Sequence, residues 1–135
     1  MTQEWLLDKS AVVRLAQSPD GTLWFERINR GLLWVGTPTL LGHGYSARPW
    51  LEWKQATQGQ AMSLLPLAYL TPAAERRAVE VQGALARVGR HRAPSVADLL
   101  VAAIAEANQL TLLHVDEDFD LIAGITGQPV ERLRM

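Results

Sequence analysis

A chain of 135 residues and 14.9 kDa, 48% hydrophobic and 20% charged, is expected to fold as one globular domain over residues 1–135. Having no cysteine, it cannot build disulfides, thiolate metal sites or a cysteine nucleophile. A net charge of −1 from 13 basic and 14 acidic residues rules out a global field that draws in nucleic acid, so such a partner must meet a local patch. No apolar run approaches the ~18 residues of a membrane span, and Met1-Thr2-Gln3-Glu4 lacks the basic start of a secretory leader. The expectation is a soluble cytoplasmic protein with no membrane partner.

In chain order, Trp5-Leu6-Leu7 reads as a short buried strand, and Ser10 to Leu15 as the helix packed against it. Ser18-Pro19 carries the cap-plus-proline signature of a helix start, with Gly31 as its stop and Leu23, Trp24 and Ile28 on one face. Leu32 to Val35 is a continuous apolar strand of the kind found in parallel sheets. Thr37-Pro38 opens a helix to about Ala47. The stretch from Arg48 to Gln60 has no clear period, although Trp50 and Trp53 fit one helical turn. Met62 to Leu70, interrupted by Pro66, has room for a short edge strand only. Thr71-Pro72 starts a long helix ending near Gly89, with Ala78, Val81, Leu85 and Val88 inward. Ser95 caps an Ala/Leu-rich helix to Asn108. Thr111 to Val115 is a third clear strand, followed by a helix from about Phe119 and a terminal strand from Val130 to Leu133. Strands alternating with helices predict an α/β fold with a mostly parallel sheet covered on both faces.

The placing of the carboxylates points to chemistry. Asp8 follows the first strand, and Asp116, Glu117, Asp118 and Asp120 follow the Thr111–Val115 strand. Both positions are C-terminal strand ends, the edge at which ligands bind in such sheets. Asp98 lies in the first turn of the helix capped by Ser95, which starts at the same edge. Clustered carboxylates repel and raise one another's pKa unless a cation offsets them. All-oxygen ligation suits Mg²⁺ or Mn²⁺ rather than Zn²⁺. The alternative is helix capping, which would explain Asp8, Asp98 or Asp118 singly. An EF-hand fails, because Leu121 stands where the loop needs glycine and Gly127 where it needs glutamate. His114, within a strand, reads as a packed residue bonded to backbone. Ser10 has no triad partners. The arginines from Arg76 to Arg92 read as a solvated helix face, with Arg90-His91-Arg92 able to reach the rim of the acidic crevice. Trp24, Trp34, Trp50 and Trp53 exceed what a core of this size hides, which points to an interface.

Four segments in order, Leu6-Leu7-Asp8-Lys9-Ser10-Ala11, Gly44-Tyr45-Ser46-Ala47-Arg48, Arg92 to Ala103, and Leu113 to Asp120, together resemble the PIN-domain ribonucleases, specifically the VapC-type toxins of bacterial toxin–antitoxin pairs. The resemblance implies a three-layer α/β/α domain with a short central sheet. It also implies Mg²⁺- or Mn²⁺-dependent endonucleolytic cleavage of RNA such as transfer or ribosomal RNA, a homodimer, and inhibition by a cognate VapB-type antitoxin. By position, Asp8, Asp98 and Asp116 match the first, third and fourth family acids and would be the catalytic metal ligands, with Asp118 auxiliary. Lys9 and Arg92 are candidate phosphate contacts. The second family acid is a glutamate three residues before the tyrosine of the Gly-Tyr-Ser-Ala-Arg segment. Here that position is Gly42, flanked by Leu41 and His43, so no neighbouring carboxylate replaces it. Two readings follow: a nuclease weakened or inactivated at Gly42, or a PIN module that now only binds antitoxin or RNA.

Overall fold

The computed structural model describes residues 2–135; Met1, the first residue of the expected domain, lies outside them. The elements run β1 (Trp5–Leu7), α1 (Lys9–Val12), a 3₁₀ turn (Leu15–Gln17), α2 (Gly21–Asn29), β2 (Leu33–Gly36), α3 (Thr37–Tyr45), α4 (Trp50–Gln58), α5 (Gln60–Ser63), β3 (Leu67–Ala68), α6 (Pro72–Arg87), α7 (Val96–Ala107), β4 (Thr111–His114), α8 (Glu117–Thr126) and β5 (Val130–Arg132). The sheet has order β3-β2-β1-β4-β5, and every pairing is parallel. Leu6 of β1 sits between Trp34 and Leu112, and Leu7 between Val35 and Leu113.

Strand alternation divides the core into two. Leu6 and Leu112 join Ala78, Val81, Leu85, Ile104 and Phe119 under α6, α7 and α8. Trp5, Leu7, Leu33 and Leu113 join Ala11, Leu15, Trp24 and Ile28 on the opposite face, under α1 and α2. The three-layer α/β/α arrangement follows from this division. Because β1 is paired on both edges and covered on both faces, all three of its residues are buried, which is why it reads as an unbroken apolar run. No described helix is long and apolar enough to cross a membrane.

Several local expectations need correction. The second helix starts at Gly21, not Ser18-Pro19. Ser18 Oγ instead accepts from Asp20 N and donates to the Arg134 carbonyl, tying the chain's end to this turn. Leu23 faces solvent while Trp24 and Ile28, one turn apart, face inward. The region without a clear period is α4, and no residue of it is buried, so no apolar stripe marks it. It docks on α3 through Trp53, whose indole lies so close to Gly44 that a Cβ there would come within 2.7 Å of Nε1. Met62 is helical, and the edge strand shrinks to Leu67–Ala68. Val88 lies past the end of α6 and is exposed, because Gly89 turns the chain at φ +72°. The helix after β4 begins at Glu117, with Asp116 rather than Asp118 as its cap.

Candidate active site

The C-terminal ends of β1 and β4 are adjacent because the two strands pair directly. Asp8 leaves β1 as the N-cap of α1: its Oδ2 accepts from Ser10 N at 2.9 Å and from Ser10 Oγ at 2.7 Å. Ser10 Oγ accepts in turn from Val115 N at 2.9 Å, locking the first loop to the end of β4. Asp116 caps α8 by accepting from Asp118 N through Oδ1. Its own N–H donates to His114 Nδ1 at 3.1 Å. Asp98 closes a capping box with Ser95, accepting from Ser95 N through Oδ2. Capping and ligation are therefore compatible here, since each of these carboxylates uses one oxygen for the cap and keeps the other free of hydrogen bonds among the described residues.

Asp98, Asp116 and Asp118 each present an oxygen within 4.8 Å of the others. Asp8 stands outside this triplet but lines, with Asp98 and Asp116, one cavity of about 380 Å³ together with Lys9, Ser10, Arg14, Thr39 and Gly42. The electrostatics bear the mark of crowding. Burial pushes the Asp98 carboxyl above its usual range; the hydrogen bonds with Ser95 oppose this, and the charges of Asp8 and Asp116 add a smaller upward push. Burial likewise raises Asp118, aided by Asp116 and Glu117 and opposed by Arg90. A hard divalent cation fits such a donor set, being all-oxygen, acidic and strained by mutual repulsion.

The α3 wall differs in character. Gly42 carries no carboxylate, and a Cβ built there would meet only Lys9 Cδ at 3.6 Å, an ordinary contact. The Lys9 stem thus crosses the opening, and its ammonium donates to Gly42 O at 3.0 Å and to Ser46 Oγ. Arg92 is exposed and does not line the cavity; Arg90, not Arg92, acts on Asp118. His114 is fully buried and tilted against Phe119. Burial lowers its pKa, so it is neutral and serves to orient the Asp116 backbone, as a packed strand histidine should. Its Nε2 lies 3.3 Å from Asp120 Oδ1 without the alignment of a hydrogen bond.

Two residues with no chemical motif of their own matter to this geometry. Ser10 welds the two acidic loops together, and the Asp-x-Ser spacing of an Asx turn was its available signal. Thr39, three residues before Gly42 on the same helix face, is 3% exposed, and its Oγ1 has no partner among the described residues. A buried unpaired hydroxyl is costly, so Thr39→Val, which keeps the shape, is expected to leave stability level or raise it by about 1 kcal/mol. Urea unfolding of the two proteins checks this.

The PIN domain family matches residues 5–125. Ribonuclease VapC2 of Mycobacterium tuberculosis is 51% identical over 131 residues, 97% of this chain and 93% of that protein. Ribonuclease VapC51 of the same species is 37% identical over the same shares. Among solved structures, VapBC2 from Rickettsia felis bound to a promoter DNA fragment superposes with a TM-score of 0.79 at 17% identity, covering 96% of this chain and 98% of that one. DNA-bound VapBC from Salmonella typhimurium gives 0.76 at 18% identity, covering 97% and 98%. The structural likeness establishes the shared fold, and the sequence identity places the chain more narrowly. The chain belongs to the PIN-domain family, among its VapC ribonucleases.

Proposed function

We propose that this protein is a divalent-metal-dependent endoribonuclease toxin, acting in the cytoplasm on transfer or ribosomal RNA and restrained by a VapB-type antitoxin. The observation that carries this reading is the meeting of Asp98, Asp116 and Asp118, from two separate helices, within 4.8 Å at the strand ends, with Asp98 and Asp116 lining the same cavity as Asp8. These four residues would hold the ion, with Asp8, Asp98 and Asp116 the catalytic acids. A bound Mg²⁺ or Mn²⁺ supplies a water of lowered pKa and offsets charge developing on the phosphate. The chain's own part is to aim three carboxylates: the caps hold Asp8, Asp98 and Asp116 by one oxygen each, and His114 fixes the Asp116 backbone. No side-chain nucleophile is required, since Ser10 is occupied between Asp8 and Val115. RNA would be selected by shape and splayed bases rather than by a duplex groove.

Gly42 supports a second reading, a PIN module that pairs with antitoxin or RNA and cuts little. One experiment separates the two: total RNA incubated with protein and Mn²⁺, with EDTA and Asp116→Asn as controls. Cleavage that requires both the metal and Asp116 supports the nuclease; intact RNA in every arm supports the binding module.

The partner surfaces favour a homodimer and an antitoxin contact. Tyr45, Trp50 and Leu51 are 90%, 64% and 70% exposed along α3 and α4, an apolar patch of the sort monomers seldom leave open. Trp24, by contrast, is a core residue, and Trp34 is half-buried with its indole N–H on Glu4. The carboxylate cluster would accept an antitoxin arginine in bidentate fashion. Sedimentation of the free protein at about 50 µM, well above micromolar dissociation constants, is expected to give a dimer mass. A monomer at that concentration would refute the dimer.

A further inference from the structure

The acidic crevice is not uniformly acidic. Lys9 follows Asp8 in sequence, yet its ammonium turns away from the carboxylates and rests on two neutral acceptors, Gly42 O and Ser46 Oγ. It makes no ion pair among the described residues. Its charge is therefore oriented but not neutralised. Position 42 bears on this seat through charge rather than space: a Cβ there would meet the stem at an ordinary 3.6 Å, and glycine puts no anion beside the ammonium. Arg14, which also lines the cavity, donates only to a backbone carbonyl. The cavity is thus lined both by three carboxylates, Asp8, Asp98 and Asp116, and by two cations without acid partners among the described residues.

We propose that Lys9 and Gly42 act as one unit, in which the glycine leaves the seated lysine without an acid partner and so available as a phosphate-binding group, so that the crevice holds the RNA backbone before any metal is bound. The proposal rests on the nuclease reading for the identity of the ligand, a single-stranded RNA phosphodiester, but not on cleavage. A carboxylate at position 42 would change the sign of this wall. Gly42→Glu should therefore strengthen metal binding and weaken metal-free RNA binding, opposite effects that a purely structural role for the glycine would not produce.

The test is fluorescence anisotropy of a fluorescein-labelled single-stranded oligoribonucleotide titrated with the full-length protein in EDTA, over a range of salt. Lys9→Met is expected to weaken binding about tenfold, as for a lost charge-assisted contact, and to flatten the log K versus log salt slope by about 0.7, the value for one phosphate on a single strand. Lys9→Arg should retain the slope, and Gly42→Glu should weaken binding by a factor similar to that of Lys9→Met. Thermal melts of each variant confirm that the fold is kept, which the half-exposed position of Lys9 favours. A parent that does not bind RNA in EDTA, a Lys9→Met variant that binds with the parent's affinity and slope, or a Lys9→Arg variant as weak as Lys9→Met would overturn the assignment. Mn²⁺-dependent cleavage does not enter these values, so failure of the nuclease reading and failure of this one are read separately.

Discussion

Gly42→Glu is expected to raise Mn²⁺-dependent cleavage of RNA by about ten- to a hundredfold over the parent. Outer partners of metal ligands are already worth that factor, and an added ligand should match it at least. The structure has room, since the new Cβ meets only the flexible Lys9 stem at 3.6 Å. The cavity it would enter is the one that holds Asp8, Asp98 and Asp116. Helix preference acts in the same direction, because position 42 is inside α3 and glycine there costs about 1 kcal/mol relative to a good helix former. Repulsion from the other carboxylates opposes this in the metal-free protein, and Lys9 offsets part of that repulsion. The variant should therefore be no more stable than the parent in EDTA and clearly more stable in Mn²⁺. Parallel assays on total RNA, with melts in EDTA and Mn²⁺, measure both. A parent that cuts as fast as the variant would show that Gly42 is no defect in the site.

Asp116→Asn should weaken Mn²⁺ binding about ten- to a hundredfold, and Asp8→Asn less. Asp116 belongs to the triplet, whereas Asp8 lies outside it with one oxygen already engaged twice by Ser10. Asparagine keeps an acceptor oxygen and caps helices about as well as aspartate, so neither variant should lose metal-free stability through its cap. Relief of repulsion should leave that stability level or higher. Calorimetric titration with Mn²⁺ and urea unfolding in EDTA decide the matter; unchanged affinity in both variants would reduce these acids to caps.

The pH dependence follows from burial first and from the neighbouring charges second. Asp98 and Asp118 bind protons more readily in the folded protein than in the unfolded chain, because their carboxyls are raised. Their contribution to metal-free stability is then full below the ordinary carboxylate pKa and is lost as pH rises through the raised values. Asp98→Asn should flatten that part of the profile, and saturating Mn²⁺ should abolish it.

The three principal strands, the mostly parallel sheet and the edge bearing the acids were legible from residues 5–7, 32–35 and 111–115. Buried parallel strands must be apolar on both faces, and the helix starts at Thr71 and Ser95 carry explicit caps. The helix α4 was not legible, because with nothing buried it has no apolar stripe, and its docking through Trp53 on Gly44 is a contact between elements. The acids at 8, 98, 116 and 118 could be named from their places beside strand and helix ends. Whether they were caps or ligands was undecidable along the chain, since both roles call for Asp at the same positions. Tertiary structure supplies the distances: β1 pairs with β4, α7 starts at the same edge, Asp98, Asp116 and Asp118 come within 4.8 Å of one another, and the caps leave Asp8, Asp98 and Asp116 one oxygen each, which is what makes the ligand reading testable. The glycine at 42 was visible as an absence, but only folding brought Lys9, 33 residues away, across it. Sequence determines which charges exist, and pairing across the sheet determines which of them share a cavity, because a Coulomb interaction depends on distance in space rather than along the chain.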